Sequence, residues 1–66
     1  MKIRFNKYAL ITKERPMEFI DGNCNTTDRI EEAMLNDSEI IANDVLKTFD
    51  NPEEFEVLPV NITYEL

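Results

Sequence analysis

The longest regular pattern in the chain is its last. From Phe55 to Leu66 the residues alternate as in an extended strand, with Leu58, Val60, Ile62, Tyr64 and Leu66 on one side and Pro59, Asn61, Thr63 and Glu65 on the other. The first set is the predicted core face. Phe55 and Val57 are out of phase with it, so the strand either carries a bulge near Val57 and Leu58 or is covered on both faces there. Pro59 cannot donate to a ladder, which places it at an edge, at a bulge, or where the neighbouring strand has ended.

The rest of the chain divides by the same logic. Alternation from Ile3 to Phe5 leads into the β-branched and apolar run from Lys7 to Thr12, which predicts a first strand. The polar stretch Lys13 to Pro16 is a turn, and Met17 to Ile20 resumes an extended pattern, so the two strands form a hairpin. Gly22, the only glycine, follows the second strand and is the position expected to need a positive φ. Thr27 and Asp28 offer helix caps, with Asp28 and Glu31 at capping-box spacing, and Ile30, Ala33 and Met34 make a short apolar stripe. Asn36 with Glu39, or Ser38 alone, caps a second and better supported helix, whose apolar face is Ile41, Ala42, Val45, Leu46 and Phe49 and which Asp50, Asn51 and Pro52 stop. The predicted architecture is α+β in the order β-β-α-α-β, a three-stranded antiparallel sheet with two short helices packed on one face, in a single domain covering residues 1–66.

Composition agrees with a folded chain: 42% of residues are hydrophobic and 32% are charged. Sixty-six residues bury only a small core, and the single Cys24 and absent histidine leave neither an internal disulfide nor a usual zinc set to reinforce it. Stability must come from packing or from self-association. The Met1 to Phe5 start has no apolar run with a cleavage site, and no segment approaches the ~20 apolar residues of a membrane span, so a cytoplasmic location is expected.

Charge is unevenly spread. Residues 1–15 carry Lys2, Arg4, Lys7, Lys13 and Arg15 against Glu14, whereas residues 16–66 carry Arg29 and Lys47 against thirteen acids, giving +4 and −11 and the net −7. An acidic surface of this kind keeps the chain soluble, or else meets a protein with a basic surface. It disfavours direct binding to nucleic acid, whose phosphates it repels, and no cluster of basic and aromatic residues compensates.

Chemistry is nearly absent from the pattern. Without histidine there is no Cys-His or Ser-His pair. Cys24 lies among acidic and amide residues that do not favour a thiolate, and one glycine cannot build a phosphate loop. Asp28, Glu31 and Glu32 suit a helix start, and Asp50, Glu53 and Glu54 suit a solvated loop; neither group has the glycine and alternating acids of a calcium loop. No cofactor, metal or catalytic residue is expected, and the chain is not read as an enzyme.

The strand Lys7 to Thr12, the segment Asp28-Arg29-Ile30-Glu31-Glu32-Ala33, the amphipathic helix after it and the closing run Glu54 to Leu66 together resemble the small proteins encoded by phages and prophages of Gram-positive bacteria. The shorter loop at Lys13, Glu14 and Arg15 departs from that group. The resemblance implies an accessory protein that binds or inhibits a host protein, and it carries over no site residue.

Two functions follow as expectations. In the first, Asp37, Glu39, Asp44, Asp50, Glu53, Glu54 and Glu56 form an acidic surface that engages a basic groove on a host protein, in the limit as a mimic of DNA. In the second, the chain is structural and self-associates as a homodimer through a strand edge and an apolar patch. Ile3, Phe5, Ala9, Ile11, Phe55 and Val57 bear on the second, because one small core has little room for all of them.

Overall fold

Two eleven-residue strands, β1 (Lys2–Thr12) and β5 (Phe55–Glu65), pair antiparallel along their whole length, with Lys2 opposite Glu65 and Thr12 opposite Phe55. The computed structural model describes all 66 residues. Three two-residue strands, β2 (Phe19–Ile20), β3 (Thr26–Thr27) and β4 (Leu35–Asn36), complete a curled five-stranded antiparallel sheet in the order β3-β2-β1-β4, with β5 on the other edge of β1. One α-helix, α1 (Glu39–Leu46), and single 3-10 turns at Ile30–Glu32 and Pro52–Glu54 make up the rest of the regular structure.

The register resolves the phase of the last strand. Pairing runs without interruption from Glu65 to Phe55, so there is no bulge, and both faces are covered near Val57 and Leu58. On one face Leu10, Ile20 and Ala42 are buried, with Tyr8, Val57, Phe55 and the α1 residues Val45 and Leu46 packed around them. On the other Ala9, Ile11 and Phe19 are buried, against Met17, Ala33, Leu35, Leu58 and Val60. Phe49 lies beyond the end of α1, yet its ring meets Phe55 edge to face at 5.1 Å, which closes the first cluster at the loop.

Several expectations need correction. The structure is α+β with an antiparallel sheet, but it has five strands and one α-helix, and both faces are covered: α1 packs on the Leu10 and Val57 face and the segment from Ile30 to Leu35 on the Leu58 and Val60 face, rather than two helices on one face. The helix expected from Asp28 is a single 3-10 turn. An apolar stripe of three residues cannot repay helix nucleation, while Met34 N–H donates to Ile20 O at 2.9 Å and Leu35 and Asn36 pair with β1. Thr27 serves as a strand residue whose hydroxyl accepts from Arg29 N–H at 3.2 Å. Ser38 does cap α1, accepting from Ile41 N–H at 3.1 Å, but the helix ends at Leu46, before the Asp50 to Pro52 stop. Ile41 is half exposed rather than part of the core face. Gly22 has no positive φ; the left-handed residue is Cys24, at φ 64°. There the Asp21 carboxylate accepts from Asn23 and Asn25 N–H, and Cys24 N–H returns to Asp21 O, so the tight turn puts its left-handed residue two positions after the glycine. The Arg15–Pro16 peptide bond is cis.

Candidate interaction site

β1 and β5 outrun the body that covers them. Residues Lys2 to Asn6 of β1 have no partner on the side away from β5, because β4 pairs only at Tyr8 and Ala9 and β2 only at Ile11. The result is a two-stranded arm of residues 1–6 and 61–66, and the molecule is drawn out to 42 × 24 × 19 Å.

The two faces of the arm differ in chemistry. Directly paired residues share a face, so Ile3 with Tyr64 and Phe5 with Ile62 form one side, and Lys2 with Glu65, Arg4 with Thr63 and Asn6 with Asn61 form the other. The apolar side continues the core stripe of Ala9, Leu58 and Val60 into solvent. Ile3, Phe5 and Tyr64 are 37%, 44% and 56% exposed, and the rings of Phe5 and Tyr64 meet edge to face at 6.0 Å. Ile30, 47% exposed on the 3-10 turn, stands across from β5. Between them runs an open groove of about 500 Å³, apolar at Ile30, Leu35, Val60, Ile62 and Tyr64 and polar at Glu31, Asn61 and Thr63.

The edges of the arm are open but poorly suited to pairing. Leu66 N–H donates to Met1 O and Lys13 N–H to Glu54 O, so even-numbered residues of β5 face β1. Pro59, Asn61, Thr63 and Glu65 therefore turn their backbone outward, and Pro59 offers no donor there. On the other edge the outward residues are Lys2, Arg4 and Asn6, and a cationic edge resists strand addition.

The seven carboxylates singled out in the sequence are all exposed, but they do not make one surface. Asp37, Glu39 and Asp44 belong to α1 and its entry. Glu39 and Asp44 are five residues apart, hence about 140° apart around the helix. Asp50, Glu53 and Glu54 follow in the next loop, and Glu56 projects from the sheet face opposite α1. Asp37 is engaged by the Lys7 ammonium, whose hydrogen bond and charge hold its carboxyl below the usual aspartate value. The Glu54 carboxylate accepts from the Asn51 amide. Glu31 is lowered chiefly by backbone hydrogen bonding, then by Arg29, whose Nε lies 2.8 Å from it. No three Asp, Glu or Cys side chains converge as a metal set.

Cys24 is exposed at the rim of a second, shallower hollow of about 260 Å³ beside Phe49, Asp50 and Phe55. No helix of the structure is long and apolar enough to cross a membrane. Comparison with family models, with curated proteins and with solved structures returns no match.

Sequence reasoning singled out Ile3 and Phe5 but missed Tyr64 and Ile30. The available signal was length: two strands of eleven residues exceed what one eight-residue helix and three two-residue strands can cover.

Proposed function

We propose that this chain is a non-catalytic protein-interaction module that binds through the apolar face of its β-arm. The observation that carries the reading is the run of Ile3, Phe5, Ile62 and Tyr64 on one face of an arm that no other part of the chain covers. Apolar residues in a solvated two-stranded ribbon contribute little to the fold, and a contiguous exposed patch beside a groove suits a protein surface. The open groove, the scattered carboxylates and the lack of a nucleophile paired with a base give no comparable support to catalysis.

The test compares capture by tagged wild-type protein with capture by the Phe5→Glu, Tyr64→Glu double variant, scoring both untagged copies of the chain and other proteins. Loss of the captured proteins with the arm variant is the expected result. Capture that survives it would end this reading.

A second reading, an accessory protein of phage type whose acidic surface inhibits a host protein, is supported by the net charge of −7 and by Glu39, Asp44, Asp50 and Glu53, which have no cationic partner. Reversing Glu53, Glu54 and Glu56 to Lys separates the two, because it abolishes a charge-led complex and leaves one made by the arm in place. Raising the salt concentration acts in the same direction.

A further inference from the structure

We infer that the occupant of the arm's apolar face is a second copy of this chain, packed face to face about a two-fold axis so that the Ile3–Phe5 ridge of each copy lies in the groove of the other. This rests on the arm being the binding surface.

The face is self-complementary in shape. Ile3 and Phe5 form a ridge on β1, and the groove bounded by Ile30, Val60 and Tyr64 runs beside it along β5. A two-fold rotation brings ridge over groove twice, as an isologous contact requires. The groove of about 500 Å³ has room for about two or three large side chains at the packing density of a protein interior, which matches the ridge.

Charge does not oppose the contact. Lys7, the cationic side chain on the ridge face, is engaged by Asp37, and Glu31, the acid in the groove lining, is paired with Arg29, while Lys2 and Arg4 belong to the opposite face of the arm.

Edge-to-edge pairing is the competing arrangement, and the edges argue against it. A two-fold pairing of β1 edges sets Arg4 against Arg4 or beside Lys2, and like charges directly opposite destabilise a strand pair. A pairing of β5 edges meets Pro59, which lacks a donor on that side.

The area suits a weak dimer. At ~200 Å² per large apolar residue, Met1, Ile3, Phe5, Ile30, Tyr64 and Leu66 together expose roughly 700 Å², so two copies that cover all of it remove roughly 1,400 Å² from water. That lies at the low end of specific interfaces, and the expected Kd is on the order of 10–100 μM.

The experiment is sedimentation velocity of the full chain from about ten-fold below to ten-fold above that range. The expected result is a concentration-dependent rise from 7.8 kDa to twice that mass. Phe5→Lys and Ile30→Glu should each weaken the dimer at least ~30-fold, as loss of a central contact does, with circular dichroism unchanged because both residues lie outside the buried clusters. Mixing the two variants should restore association, since one half of the interface then pairs Lys with Glu and the other half keeps Phe5 against Ile30. A dimer that both variants leave intact, or variants that fail to associate on mixing, would overturn the arrangement. A chain monomeric throughout the range overturns the second copy as occupant. In that case capture lost with the Phe5→Glu, Tyr64→Glu variant still leaves the arm as a binding surface, and unchanged capture removes that reading too.

Discussion

Leu10 and Phe5 are five residues apart on β1 and separate the body from the arm. Leu10 is fully buried between the sheet and α1, against Ile20 and Ala42. Truncating it to Ala removes the transfer energy of the lost atoms and leaves a cavity, for a cost of about 3 kcal/mol. A chain of this length has roughly 3–10 kcal/mol of stability in all, so Leu10→Ala brings it close to unfolding. Phe5 sits where a little over half of the side chain is covered, with Tyr64 edge to face, Ile62 directly across the strand pair and the Lys7 ammonium 5.8 Å from its ring centroid. Phe5→Ala loses roughly 50 Å² of net apolar burial at ~25 cal/mol/Å², for a cost of about 1 kcal/mol. Urea unfolding followed by circular dichroism reads both: with a slope of about 1 kcal/mol/M, the midpoint moves by about 3 M for Leu10→Ala and by about 1 M for Phe5→Ala. The measurement belongs at low protein concentration, where a second copy would not occupy the arm. Equal shifts, or a larger shift for Phe5→Ala, would mean that the arm is part of the folding core and would refute the division into body and arm.

Other expected outcomes are as direct. Ser38→Ala should cost about 1 kcal/mol by freeing the Ile41 amide, and Ser38→Asp should not, which urea midpoints would show. Gly22→Ala should be neutral to slightly stabilising, because nothing lies within 4 Å of the added methyl and φ is not positive, whereas Cys24→Gly should raise the melting temperature by relieving a left-handed residue. A melting temperature lowered by Gly22→Ala would contradict that backbone. Asp37 has its folded pKa lowered by Lys7, so its contribution is present above the usual aspartate value and is lost as pH falls through the lowered folded value. Asp37→Asn should therefore flatten the stability profile below about pH 4, and profiles that superimpose would remove the ion pair from the folded state.

The two long strands and the capped helix were legible in the sequence because each rests on a local rule: period two from Leu58 to Leu66, a serine hydroxyl three residues before the Ile41 amide, and an apolar stripe through Ala42, Val45 and Leu46. What failed was decided at a distance. Ile30, Ala33 and Met34 have helical spacing, but the open edge of β1 offers Leu35 and Asn36 a ladder, and Met34 an acceptor in Ile20, that no local pattern reveals. The assignment of a positive φ to Gly22 followed residue type, whereas the Asp21 carboxylate shapes a turn that needs it at Cys24. Leu58 and Val60 of the expected core face are packed, but α1 covers the opposite face with Phe55 and Val57, and the apolar pattern beyond Val60 does not continue as core. Alternation reports which residues share a side, and burial depends on how far neighbouring elements reach, so Ile62 is only half-buried and Tyr64 is largely in solvent on a strand whose pattern never changes.

Only seven of 66 residues are buried, the single cysteine forms no internal disulfide, and no three Asp, Glu or Cys side chains converge to reinforce the fold through a metal. In such a domain binding and folding are linked, because a partner that engages only the folded form adds RT ln(1 + [L]/Kd) to its stability. Two copies associating through the arm at a concentration of 100 times Kd would supply about 2.7 kcal/mol, comparable to one buried leucine. The placement of apolar residues then has a physical reason. Ile3, Phe5 and Tyr64 lie beyond the segments that cover their face of the sheet and so do not enlarge the core, but on an arm they would let a second body contribute the burial that 66 residues cannot provide alone. The cationic β1 edge and Pro59 on the β5 edge, meanwhile, would keep such an association from extending into open-ended strand pairing.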